Sequence, residues 1–134
     1  MPNDLHAPHQ SLADAFEAHD IDADAFHHLE HVEVAFALLK KYDFIDASAI
    51  YAKGIRTIAA NAGALTKFNL TITYAFMSLI GERIAAMPYL TFEASVAANP
   101  DLMTKDILSQ WYDPDRMTSD TARSVFLMPM PARP

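Results

Sequence analysis

Along most of this chain apolar residues recur at the three- and four-residue spacing of one helix face. From residue 22 the pattern predicts a first long helix, with Asp22 or Asp24 as N-cap and an end near Tyr42. At about 100° per residue, Leu29, Val32, Val34, Ala35, Phe36, Leu38 and Leu39 fill one broad arc, and Glu30, Glu33, Ala37, Lys40 and Lys41 the other. A second helix is expected after Asp46, closed by Gly63, with Tyr51, Gly54, Ile55, Ile58 and Ala62 turned inward. A third runs from about Thr66 to Ala86, stopped by Pro88, with Leu65, Ile72, Phe76, Met77, Ile80 and Ile84 inward. Ser11 caps a short helix to about Ala18, and Thr91 caps another that ends at Asn99-Pro100. Thr104 opens one reaching Trp111, and Ser119-Asp120 start a last turn or two to Phe126.

Three glycines and eight prolines, the latter near the ends or between apolar blocks, favour helices over a turn-rich β architecture. The expected fold is all-α: a compact bundle of three long helices, short C-terminal helices and an extended proline-rich tail. Residues 1–10 read as a loose leader, 11–127 as a single helical domain and 128–134 as the tail. At 134 residues and 51% hydrophobic composition, such a domain needs no metal or covalent staple to fold. The absence of cysteine excludes disulfides and thiolate-held metals. A net charge of −7, with no basic cluster beyond Lys40-Lys41, argues against nucleic acid as a partner. The most apolar run, Ile72 to Ile80, is too short and too often interrupted to span a bilayer, and the opening MPNDLHAPHQ lacks signal-peptide character. No membrane partner and a cytoplasmic location are therefore expected.

The chemistry concentrates elsewhere. All six histidines fall within the first 31 residues, three of them in Phe26-His27-His28-Leu29-Glu30-His31. His28 lies on the line of Val32, Ala35 and Leu39 at the centre of the apolar arc, and His31 lies about 60° to one side, so both point inward. Spaced i and i+3, they can converge on one ligand, proton or ion. The positive end of the helix and apolar neighbours both disfavour imidazolium at His28, so a neutral imidazole able to take a proton is expected. The alternative is that each histidine is a core residue hydrogen-bonded to a carbonyl.

The third helix carries a second anomaly. Asn69, Thr73 and Arg83 interrupt the line of Phe76 and Ile80 along its apolar arc, and buried polar groups need partners or a polar cavity. A guanidinium there implies either a carboxylate partner or an anionic ligand, unless it snorkels past the helix end. Thr73 can also bond back to its own helix. If the first and third helices pack together, His28, His31, Asn69 and Thr73 line one pocket. Trp111-Tyr112 before Asp113-Pro114 reads as a packed anchor.

Two stretches carry a resemblance, Phe26-His27-His28-Leu29-Glu30-His31-Val32 and Lys67-Phe68-Asn69-Leu70-Thr71-Ile72-Thr73. With Phe92-Glu93, Asn99-Pro100-Asp101-Leu102, Trp111-Tyr112 and Ala122-Arg123 before the prolines, the chain resembles a family of small, functionally uncharacterised bacterial helical proteins. Its signatures read approximately F-x-H-x-[DE]-H-[LV] and K-[YF]-H-x-T-[IVL]-T. The resemblance marks His28, Glu30, His31, Lys67, Thr71 and Thr73 as matching positions. Asn69 stands where such relatives carry a histidine, which removes a nitrogen from an otherwise plausible three-histidine metal site, asparagine being a poor ligand for transition metals.

Three functions remain open. The first is a cofactor-free enzyme of isomerase, lyase or cyclase type acting on a small organic substrate, with an anionic one among the candidates. His28 and His31 would be catalytic, and Asn69, Thr73 and Arg83 would bind the substrate. The second is a divalent metal held by His28, His31 and Glu30, weakened by Asn69. The third is a non-catalytic ligand-binding or accessory module, acting with a partner protein or as a homo-oligomer.

Overall fold

The computed structural model describes residues 11–88 and 90–129, and within these the chain is all-α: seven α-helices, four 3-10 turns and no strand. Helix α1 spans Leu12–Glu17, α2 His28–Lys41, α3 Phe44–Asn61, α4 Leu70–Ala86, α5 Phe92–Ala98, α6 Pro114–Met117 and α7 Asp120–Ser124. The expected leader, residues 1–10, and residues 130–134 of the expected tail lie outside the described residues.

Helices α2, α3 and α4 pack against one another, with α1 over α2 and α3, and α7 against α4. The core runs through Val32, Val34, Ala35 and Leu38 of α2, Ala47 and Tyr51 of α3, and Phe76, Met77 and Ile80 of α4. Phe16 from α1 and Leu102, Ile107, Leu108 and Tyr112 from the C-terminal turns complete it. The glycine at position 54 permits the closest approach. A Cβ there would lie 2.3 Å from the Phe16 ring, so α1 can seat its aromatic against α3 only because that side chain is missing.

The short helices follow their caps. Ser11 accepts from Asp14 N–H, Thr91 from Ala94 N–H and Ser119 from Ala122 N–H, as their sequence contexts predict. Helix α3 ends in a Schellman closure on Gly63, whose φ is +70°, with Ala64 N–H reaching the Ala59 carbonyl at 2.8 Å. The end of α1 makes the same closure on a non-glycine residue: His19 has φ +59°, and Asp20 N–H reaches the Ala15 carbonyl at 2.9 Å.

Several expected boundaries shift, each for a local reason. Asp22 caps only the 3-10 turn Ala23–Ala25, and α2 starts at His28, where the Glu30 carboxylate accepts the His27 N–H at 2.8 Å. Helix α3 begins one turn before Asp46 because Asp43 captures Asp46 N–H at 2.8 Å. Helix α4 begins at Leu70 rather than Thr66, because Leu65–Lys67 form a separate 3-10 turn. Thr104 caps no α-helix; a 3-10 turn over Ile107–Gln110 stands in its place. Leu29, Ala62 and Leu65, expected inward, are exposed, since each lies at a helix end where the next turn no longer covers it.

Candidate functional site

The first turns of α2 and α4, the middle of α3 and the segment after Met103 enclose a cavity of about 460 Å³. The two histidines and the asparagine of the sequence reading meet there: His28, His31, Asn69 and Thr73 all line it, with Tyr51, Lys67 and Lys105. Phe26, Ile55, Ile72, Phe76, Ile107 and Leu108 supply apolar wall. The α2 side follows from the cap at His27: starting the helix there turns positions 28 and 31 toward the α3 and α4 faces they pack against.

The hydrogen-bond network assigns the ring protons. His28 Nε2 lies 2.9 Å from the Leu102 carbonyl oxygen. A carbonyl only accepts, so the proton is on Nε2, and the neutral ring carries its lone pair on Nδ1. His31 is arranged the other way. Its Nδ1 lies 3.2 Å from the Tyr51 hydroxyl, and that hydroxyl has no other acceptor among the described residues. A buried O–H must be donated, so Tyr51 donates to Nδ1 and His31 keeps its proton on Nε2. The two imidazoles are thereby differentiated: His28 offers an acceptor nitrogen, and His31 offers a donor.

Electrostatics keep the second pair neutral. Burial first, then the neighbouring His28, pushes the His31 pKa down from 6.5 to about 4, against the opposing pull of Glu30. Burial pushes the Tyr51 hydroxyl well above its ordinary value. The His31 ring also rests on Phe26, with centroids 4.4 Å apart, and His28 tilts against Phe76 at 5.7 Å.

The polar residues of α4 are occupied differently. Asn69 Oδ1 accepts Ile72 N–H at 2.9 Å as the N-cap, and its Nδ2 donates to the Met117 carbonyl at 2.7 Å. Thr73 donates back to the Asn69 carbonyl at 2.7 Å. Both line the cavity while their strongest hydrogen bonds are spent within the protein. Arg83 is not among the residues lining the cavity. Its guanidinium grips Asp101 with two bonds of 2.8 Å and Asn99 with one of 3.0 Å, the carboxylate-partner alternative rather than an anion subsite. That grip fixes the turn Pro100–Met103, whose Leu102 carbonyl holds His28, so Arg83 acts on the site at one remove.

Glu30 also stands outside the cavity lining, its carboxylate engaged with the His27 N–H, which holds it below the usual carboxylate range. His28, His31 and Glu30 therefore do not converge as a ligand set, and among the described residues no three His, Asp or Glu side chains are placed to share a metal ion. Three features of the site had no sequence signal pointing to them. They are Tyr51 as the partner of His31, Lys105 at the cavity and the Leu102 carbonyl, all brought in by tertiary packing.

Comparisons with protein-family models, with curated proteins and with solved structures return no match for this chain. Among the described residues no helix is long and apolar enough to cross a membrane.

Proposed function

We propose that this chain is a small helical enzyme that moves a proton on a small organic substrate held in the histidine-lined cavity, in an isomerase, lyase or cyclase reaction. The observation that carries the reading is the opposed hydrogen bonding of two rings that line one hollow of about 460 Å³: His28 is held through Nε2 and His31 through Nδ1, which leaves Nδ1 of the first as acceptor and Nε2–H of the second as donor. His28 Nδ1 takes a proton from a carbon next to an electron-withdrawing group, and His31 donates a hydrogen bond to the oxygen on which negative charge develops. In an isomerisation, His28 returns the proton to a different atom, so no external acid or oxidant is consumed. Tyr51 and the Leu102 carbonyl hold the rings in their working tautomers.

The chain's own residues suffice for this step, and a cytoplasmic setting belongs to the same proposal. Both signature stretches border the cavity, Phe26, His27, His28 and His31 from one and Lys67, Phe68, Asn69, Ile72 and Thr73 from the other. This supports reading the resemblance as that of a family sharing a pocket.

The test is exchange chemistry. Small organic acids and ketones are incubated with the protein in D2O, and deuterium entering carbon positions is followed by NMR. Exchange or conversion should occur and should fall by about 10²-fold or more in His28→Gln, which keeps an N–H for Leu102 and lacks the base. Ligands that bind the wild type without exchange or conversion would contradict the enzymatic reading.

A second reading, a non-catalytic binding or accessory module, draws on one observation. Trp111, Phe126 and Met128 leave an exposed apolar surface next to a smaller hollow of about 160 Å³.

A further inference from the structure

We infer that the occupant of the histidine-lined cavity is an amphipathic organic carboxylate, its charged head at Lys67 and Lys105 and its apolar body against Phe76 and Ile72. This rests on the proposed small-molecule function and names its substrate class. The first argument is charge. The lining includes two lysines and three histidines and no aspartate or glutamate, in a chain whose net charge is −7. A cavity free of carboxylates is thus set within an acidic molecule, and a site lined by one sign of charge draws the opposite sign. Of the carboxylates adjacent in sequence to lining residues, Glu30 is turned to the His27 N–H, and Asp106, between Lys105 and Ile107, is exposed and outside the lining. Among the described residues neither Lys67 nor Lys105 has an ion-pair partner.

The second argument is the supply of donors. Tyr51 and Thr73 spend their donor hydrogens on His31 and on the Asn69 carbonyl, Asn69 spends one of its two Nδ2 hydrogens on Met117, and His28 spends Nε2–H on Leu102. What remains free to face a ligand is the His31 Nε2–H, the second Asn69 Nδ2–H, the two ammonium groups and the exposed His27. That set suits the two oxygens of a carboxylate. A phosphate asks for more, typically a nest of backbone N–H groups or an arginine fork, and no arginine lines the cavity. The third argument is the wall. Seven phenylalanine, isoleucine and leucine side chains face the remaining volume, and about 460 Å³ lies in the lower half of the usual range of small-molecule pockets, roughly 300–1,000 Å³. A short aliphatic or aromatic acid matches both size and polarity.

The experiment uses the full chain with octanoate and phenylacetate, their neutral amides, and octyl and benzyl phosphate. Binding is read by saturation-transfer NMR and by shifts of amides around the cavity. The acids should bind at least roughly tenfold more tightly than their amides, a difference of about 1.4 kcal/mol, and should weaken as sodium chloride is raised. The Lys67→Gln/Lys105→Gln double variant, altered only at exposed positions, should lose most of that preference while binding the amides as before. Acids and amides binding equally, or acid binding unchanged in the double variant, would overturn the carboxylate assignment and leave the cavity reading in place. Tighter binding of the phosphates would overturn it in favour of a phosphate ester. If none of the six compounds perturbs the cavity amides, the carboxylate assignment fails, and the D2O exchange assay then decides the proton-transfer reading separately.

Discussion

At the scale of single residues, His31 makes the most definite statement about pH. Its folded-state pKa lies near 4 against 6.5 for a free imidazole, chiefly because the ring is buried. The unfolded chain therefore binds more protons between these values, and folding stability falls as pH drops through that window. The contribution is complete above about pH 6.5 and exhausted below about pH 4. Its size is on the order of 3 kcal/mol. The groups facing the ring are Tyr51 and Phe26, with His27, His28 and Glu30 as the titratable neighbours. Urea denaturation at pH 7 and at pH 4.5 checks this: His31→Gln should flatten the pH dependence, and an equally steep loss in that variant would locate it elsewhere.

Thr71 is the second residue on which much depends. Its fully buried hydroxyl donates to the Val125 carbonyl at 2.7 Å and accepts Leu127 N–H at 3.0 Å, stitching the segment after α7 onto α4. Thr71→Val keeps the shape and leaves two main-chain groups unpaired, so a loss of roughly 2–4 kcal/mol in chemical denaturation is expected.

Among the elements, the 3-10 turn Pro100–Met103 links a surface ion pair to the site. Arg83 holds Asp101, and the next residue's carbonyl holds His28. Because Asp101 is 43% exposed, the pair itself contributes little, on the order of 1 kcal/mol. Arg83→Ala should therefore lower the melting temperature only slightly, while the His28 Nε2–H exchanges with solvent faster. An unchanged exchange rate would show that the turn holds its shape without the pair. The approach of α1 to α3 is less forgiving. Gly54→Ala would drive a methyl group into the Phe16 ring, and the expected cost is about 1–3 kcal/mol by thermal or urea denaturation.

Element boundaries also show what a linear sequence displays and what it hides. Ser11, Thr91 and Ser119 announce their helices because a cap bond spans three residues and needs nothing beyond local chain. At the start of α2 the sequence favours Asp22 and Asp24 as caps over His27, and only the Glu30 reach-back to His27 N–H selects the later start. Asn69 stood out as a polar break in an apolar arc. Its double duty as N-cap and as the partner of Met117, 48 residues away, depends on tertiary packing.

For the molecule as a whole, the all-α class was legible from helical periodicity, and so was the inward direction of His28 and His31. The encounter of those rings with Asn69 across a hollow was only an assumption, because periodicity fixes a face and not its neighbour. Lys105 reaches the site from beyond residue 100, in a segment whose 3-10 turns leave no periodic trace, and Arg83 turned out to serve Asp101 rather than the cavity. The cavity opens to solvent, so bulk can be added to its wall without breaking the packed core. Filling it by Ile72→Trp should leave the fold intact or slightly stabilised and abolish ligand binding, as followed by circular dichroism together with the octanoate titration.

Histidine side-chain ¹⁵N NMR on the full chain tests the central claim most directly, because it reads the position of every ring proton. The account predicts at pH 7 a His31 ring fixed with its proton on Nε2 and still neutral at pH 5.5, and a His28 Nε2–H protected from exchange by Leu102. Two rings averaging between tautomers as free imidazoles do, with His31 titrating near 6.5, would contradict it.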